Sequence, residues 1–293
     1  MPVNADERSE ALLRGAMDTH IHTAPDIYPR SVTVVEAAQN AKAAGMRAIL
    51  VKSHSTDTSD RAELATKLTG FSVYGGVTLN YPVGGLNIHA VRESIRQGGK
   101  QIWMPSTSSR AFMQRADSVP TLARSVPLGV PGMLITANGE LLPEIAPILK
   151  LIAEQDIALA SSHIFPAESL LLVKAARQAG VKRITITHPH ASFLGYTMEQ
   201  MLELGSLGAM LEVHFTFTTR AVEDTVPVAD LAKMIRTLGP RHCIMATDGG
   251  QAVNPPPHEM LRLFIAGMLE AGFSEDEIHT MTIKNPGWIL GIE

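Results

Sequence analysis

The residues with the most chemistry in them stand near the start of the chain, in Asp18-x-His20-x-His22, which closes a short apolar run beginning near Ala16. Alternate residues of a strand share a face, so a strand here points Asp18, His20 and His22 one way. Two imidazoles about 7 Å apart along a strand converge on one ion when they sit at its end. Metal–nitrogen bonds of about 2.0–2.1 Å suit that arrangement, and Asp18 is placed to orient a ring. Two histidines in an ordinary loop would read the same way. The rest of the chain has to supply further ligands.

The elements that would position such ligands recur in a fixed order. A helix ends at Gly, one or two residues follow, and a short apolar strand then ends in polar residues. Strand candidates are Ala16–Thr23, Met46–Val51, Phe71–Leu79, Gln101–Met104, Ile157–Ala160, Arg183–Thr187, Ala209–Val213 and Cys243–Thr247. Helical spacing predicts Ser31–Ala44, Asp60–Leu68, Asn87–Gln97, Pro143–Glu154, Ala167–Ala179, Thr197–Leu204, Val228–Leu238, Pro257–Glu270 and Ser274–Thr282. Continuous apolar strands between amphipathic helices imply a parallel sheet covered by helices. Eight such units predict an α/β fold, a (β/α)8 TIM barrel, as a single domain over residues 1–293. Between strands four and five the interval nearly doubles. The excess, about 107–139, is rich in Ser, Pro and Gly and reads as a loop inserted over the active-site face.

A barrel puts its chemistry at the C-terminal strand ends. Strand one ends in His20 and His22, strand two in Lys52 and His54, and strand three in Asn80. His163 follows strand five, His188 strand six and Asp248 strand eight. Four of the 11 histidines thus fall at corresponding positions on three strands, with a carboxylate on the eighth. That set favours zinc or a related divalent ion. Glu212 and His214 alternate onto one face of strand seven, where a pocket-lining and a structural role are equally open.

In this order and spacing, Asp18-x-His20-x-His22, His163, His188 and Asp248 resemble the metal-dependent hydrolases of the amidohydrolase superfamily. The closing Lys284-Asn285-Pro286-Gly287-Trp288-Ile289-Leu290-Gly291 is similar to the Asn-Pro-Ala-x-x-Leu-Gly ending common there. The resemblance spans Asp18 to Ile292 and implies a barrel holding one or two divalent ions, zinc first, with Mn2+ or Fe2+ as alternatives. It implies His20, His22 and Asp248 as ligands of the deeper ion. His163 and His188 would hold a second ion or the substrate, and Asp248 would manage the proton of the attacking water. The bridging lysine or glutamate usual on strand four is missing, since that strand reads Gln101-Ile102-Trp103-Met104. Lys52 could replace it as a carboxylated bridge, meet an anionic substrate, or pair with an acid. A mononuclear site of His20, His22, His163 and Asp248 fits the missing bridge, with His188 then polarising the substrate.

The expected function is a metal-dependent hydrolase that uses a metal-activated water to cleave an amide, cyclic amide, lactone or ester of a small molecule. Catalysis would fall to Asp248, His188 and Lys52. Arg30, Asn80 and Arg110 are candidates to bind an anionic substrate, the arginines through their bidentate fork. The alternative is a decarboxylase or hydratase of a small unsaturated acid, and the lesser one a non-catalytic barrel subunit. A net charge of −4 with scattered basic residues argues against nucleic acid as a partner. No apolar stretch reaches membrane-spanning length, so a cytoplasmic chain is expected, with homo-oligomerisation open. Cys243, the single cysteine, excludes an intrachain disulfide and reads as a small buried hydrophobe. No nucleophile elbow, phosphate loop or dinucleotide fingerprint is present.

Overall fold

The computed structural model describes residues 5–118 and 129–293. In chain order the strands are β1 (Met17–His22), β2 (Ala48–Lys52), β3 (Ser72–Tyr74), β4 (Gly76–Thr78), β5 (Gln101–Trp103), β6 (Thr136–Ala137), β7 (Glu140–Leu141), β8 (Ala158–Ala160), β9 (Ile184–Thr187), β10 (Met210–His214) and β11 (Cys243–Ala246). The helices are α1 (Ala5–Leu13), α2 (Val34–Ala43), α3 (Ser59–Thr69), α4 (Ile88–Arg96), α5 (Arg110–Ser118), α6 (Ile145–Glu154), α7 (Pro166–Gln178), α8 (Met198–Ser206), α9 (Val228–Leu238), α10 (Pro257–Glu270), α11 (Glu275–His279) and α12 (Asn285–Leu290). The chain divides into two compact units. One comprises Met1–Lys52, Asp60–Gly75 and Glu212–Glu293, the other Ser53–Ser59 and Gly76–Leu211.

In the first unit β1, β2 and β3 run parallel, with Met17 opposite Ala48 and Ala48 opposite Ser72. On its other side β1 meets the residues after β11 through a parallel bridge, Ile21 to Gly249. Every residue of β1, β2 and β11 is buried, as a sheet covered by helices requires. Helix α2 is started by Thr33, whose hydroxyl accepts from the Glu36 N–H while the Glu36 carboxylate accepts from the Thr33 N–H. The Asn-Pro ending has a structural job here. Asn285 donates its side-chain amide to the carbonyls of Cys243 (2.7 Å) and Pro240 (3.2 Å), holding the start of β11 in place.

In the second unit β4, β5, β8 and β9 are parallel neighbours in that order. Helix α6 buries Ile145, Ile148, Leu149 and Ile152, the i, i+3, i+4, i+7 stripe of an amphipathic helix. The third strand expected from the sequence is two short ones, β3 in one unit and β4 in the other. Gly76 starts β4 so close to its neighbour that a Cβ would lie 1.9 Å from the Gln101 carbonyl oxygen, which admits only glycine. The insertion at 107–139 is also more structured than a loop. Its described residues hold α5 and β6, which pairs antiparallel with β7 just past its end, while 119–128 lie outside the described residues. Glu168 anchors that pair to the start of α7, accepting from the N–H groups of Ile135 (2.7 Å) and Phe165 (3.2 Å).

Cys243 is fully buried in β11, and burial pushes its thiol up to about 12. Native protein should therefore leave a thiol reagent unconsumed at mildly alkaline pH, and denatured protein should titrate one thiol per chain. Because the unfolded thiol ionises first, this group's contribution to stability falls as the pH rises from about 9 toward 12. A rapidly labelled native thiol would contradict this packing.

Candidate metal centre

Strand β1 carries a bulge. Asp18 pairs with Ile49 and Ile21 with Val51, so three steps on β1 match two on β2. An extra residue breaks the strict alternation of side chains. Asp18 accordingly does not point with the two histidines as expected. Its carboxylate accepts from the Thr247 hydroxyl (2.5 Å), the Thr247 N–H (3.1 Å) and the His20 N–H (3.2 Å). Burial pushes Asp18 up to about 7 against those hydrogen bonds. Its role is to pin the residue before Asp248 rather than to orient a ring.

His20 and His22 do converge, and Asp248 is where they meet. His22 Nε2 lies 3.1 Å and His20 Nε2 3.6 Å from Asp248 Oδ1. A third imidazole joins them: His214, at the end of β10, places Nδ1 3.8 Å from Asp248 Oδ2. Ligand atoms of His20, His214 and Asp248 all lie within 4.8 Å of one another. Glu212, two residues before His214 on the same face, sits behind the rings. Its Oε2 is 3.2 Å from His20 Nδ1 and 3.2 Å from His214 Nε2, and its Oε1 accepts from the Thr19 hydroxyl (2.6 Å). The alternation of Glu212 and His214 is visible in the sequence. That their strand end lies beside Asp248 is not.

The protonation states are those a cation needs. Burial, then the charges of Lys52 and His214, hold His20 well below the usual imidazole range. Burial and the Arg30 guanidinium push His22 down to about 4. Burial works to raise Asp248, but the His22 hydrogen bond and the neighbouring imidazoles hold it well below the usual carboxylate range. Neutral rings and an ionised carboxylate are the metal-ligating forms. Three buried nitrogens and a carboxylate oxygen are the donors favoured by zinc and related divalent ions, so the residues fit such an ion.

The other candidates have definite surroundings. Lys52 is buried, and burial pushes its amine down to about 8 against the pull of Asp248 and Glu212. Arg30 donates through Nε (2.9 Å) and Nη2 (2.8 Å) to Asp26 Oδ2, both side chains being buried. In the second unit His163 and His188 face each other, Nε2 to Nε2 at 3.0 Å, with the Phe112 ring stacked on His163. Asn80 accepts from the N–H groups of Ser106 (2.8 Å) and Ser108 (3.1 Å) and donates to the Ser106 hydroxyl and the His54 carbonyl. Arg110 donates to the Gly132 carbonyl (3.2 Å), tying the insertion to itself. Asn80 thus ties the loops that carry His54 and Ser106 to its own, and Arg110 holds the insertion together.

Gly250 lets the Asp248 loop approach β1. It has φ +112°, and a Cβ there would lie 1.8 Å from the His22 carbonyl oxygen. Gly250→Ala adds an overpacking cost of about 1–3 kcal/mol to the strain of its backbone, about 1–3 kcal/mol, and should lose more than a glycine whose Cβ site is open. Gly98→Ala, also at positive φ but with nothing within 4 Å of its Cβ, should cost only about 1–2 kcal/mol. Urea midpoints measure both, and equal losses would contradict the close approach.

No curated protein matches the sequence. Solved structures match over nearly the whole chain. The probable dipeptidase PvdM from Pseudomonas aeruginosa is 11% identical with a TM-score of 0.62, covering 100% of each chain. An amidohydrolase from Pseudomonas aeruginosa is 11% identical at 0.57, covering 98% of each. The 2,6-dihydroxybenzoate decarboxylase from Rhizobium is 9% identical at 0.57, covering 95% of this chain and 99% of its own. The fold is therefore the α/β barrel shared with these structures, the fold class expected from the strand pattern. A family model matches residues 15–212, a span that holds β1, the second histidine pair and Glu212. The chain belongs to that family, the family of unknown function DUF6282.

Proposed function

We propose that this protein is a metal-dependent hydrolase of the amidohydrolase type, acting on an amide, cyclic amide, lactone or ester of a small molecule. The observation that carries it is the meeting of His20, His22 and His214 at the Asp248 carboxylate, in a fold shared with an amidohydrolase and a probable dipeptidase. A divalent ion bound there would acidify a water and polarise a carbonyl. His20, His22, His214 and Asp248 are the residues that would hold it. Zinc is the first expectation and Mn2+ or Fe2+ the alternatives.

Asp248 is the proton carrier in this reading. Held ionised, it takes a proton from the attacking water as the water oxygen bonds to the carbonyl carbon. It returns that proton to the leaving atom as the carbon–heteroatom bond breaks. Lys52 and Arg30, cations whose charges reach this centre, suit an anionic substrate. Arg30 already holds Asp26, which leaves Lys52 the better placed of the two. His163 and His188 are assigned binding of a second ion or of the substrate, since two Nε2 atoms 3.0 Å apart fit neighbouring positions around one cation. Their role does not bear on the ligands of the first unit. A decarboxylase is the second reading, favoured by the likeness to the dihydroxybenzoate enzyme. No helix of the described residues is long and apolar enough to cross a membrane.

Elemental analysis of metal-replete protein should find at least one divalent ion per chain. Asp248→Asn and His20→Asn should each weaken binding by at least about tenfold. Wild-type protein holding no divalent ion would contradict the proposal. Incubating loaded protein with panels of cyclic amides, lactones, esters and unsaturated acids separates the chemistries: ring-opened products support hydrolysis, and released carbon dioxide supports decarboxylation.

A further inference from the structure

We infer that Gln251 is a positioning residue of this centre. It ties together the segments that leave β1, β10 and β11, and so holds His22, His214 and Asp248 at the spacing one ion needs. The inference rests on the metal centre proposed above and adds what keeps its parts together.

The ligands sit at the ends of three strands, where the chain has to turn. Asp248 itself has φ +48°, a conformation that a residue other than glycine keeps only when its surroundings hold it. Gln251 supplies that hold. Its Nε2 donates to the Asp248 carbonyl at 2.5 Å. Its Oε1 accepts from the Thr216 hydroxyl at 3.0 Å and from the Asn254 amide at 2.9 Å. Thr216 lies two residues beyond His214, and its N–H donates to the carbonyl of Thr247, the residue before Asp248, at 2.9 Å. The Asn254 amide also donates to the Thr216 hydroxyl at 3.2 Å. The Gln251 backbone completes the set by bridging to Arg30, on the segment that follows His22. Beside that bridge the Ser31 N–H donates to the Gly250 carbonyl at 2.9 Å.

A side-chain amide is the group this place requires, because it donates on one side and accepts on the other. Turned over, it would set its oxygen against the Asp248 carbonyl and its NH2 against the Asn254 amide. Two acceptors and two donors would then face each other. Thr216 and Asn254 are both buried, so a partner lost here is left unmatched rather than handed to water. Methionine in place of Gln251 keeps the length and supplies neither half. The turn at Asp248 then loses its tie to the His214 segment, while every ligand side chain is still present.

Competition with a chromophoric chelator gives the Zn2+ Kd, and the visible bands of Co2+-loaded protein report how the ion is coordinated. Gln251→Met and Thr216→Val should each bind Zn2+ about tenfold more weakly, the low end for groups that support a ligand from outside. Both should also change the Co2+ bands. Thr216→Ser keeps the hydroxyl and should bind as wild type does. Urea midpoints of the metal-free proteins separate this role from a general one. A merely structural residue lowers the midpoint and leaves the Kd and the Co2+ bands of the folded protein as they were, and that result overturns the inference. If Gln251→Met does not fold, the contrast between Thr216→Val and Thr216→Ser decides. Wild type that binds no Zn2+ is a different result, which removes the centre itself.

Discussion

The first unit depends on keeping the Asp248 carboxylate ionised beneath the surface. Isolated, such a charge would be too costly to bury, and the group would take up a proton instead. Three imidazoles meet it, His22 through a hydrogen bond, and the charges of Lys52 and Arg30 reach the same region. Glu212, fully buried behind the rings, is hydrogen-bonded to the Thr19 hydroxyl and to His20 Nδ1, and lies 3.2 Å from His214 Nε2. The two carboxylates face opposite nitrogens of the same two rings. The polar groups thus form one cluster rather than a set of separate pairs, with His20 held to Glu212 by its Nδ1 hydrogen bond.

Backbone strain gathers beside the polar candidates of each unit. Asp248 and His188 adopt positive φ, +48° and +31°, and so does Ser162, beside His163, at +54°. Side chains other than glycine avoid this region at a cost of about 1–3 kcal/mol. Two further non-glycine residues at positive φ, Asn138 and Asp156, belong to types that tolerate it in ordinary turns. The strained positions follow β8, β9 and β11, where a strand must turn sharply and still present a polar side chain. In both units the regular elements absorb this cost through buried apolar strands and helix stripes such as Ile145, Ile148, Leu149 and Ile152.

Most elements were legible because they obey local rules. Apolar strands bounded by glycine and helices of period 3.6 carry their own signal, and Val228–Leu238 and Pro257–Glu270 match their expected spans. What the sequence concealed is non-local. The division at Gly75 and Gly76 is invisible because Phe71–Leu79 reads as one apolar run, and only the Gln101 carbonyl requires the glycine. The bulge that turns Asp18 away from His20 comes from pairing with β2. Helix α5 hides in a polar, proline- and glycine-rich stretch. His214 and Glu212 were visible as an alternating pair, but nothing local separates a ligand and its carboxylate from a buried polar pair. The missing strand-four bridge was legible, and His214 now offers a third imidazole to the centre.

The most direct test is crystallographic: an anomalous difference map from protein crystals soaked in zinc, with data collected on both sides of the zinc edge. The account predicts a peak bonded to His20 Nε2, His22 Nε2, His214 Nδ1 and an Asp248 oxygen, at about 2.0–2.2 Å. A map whose zinc peaks all avoid these four residues, in crystals that bind zinc elsewhere, would contradict it.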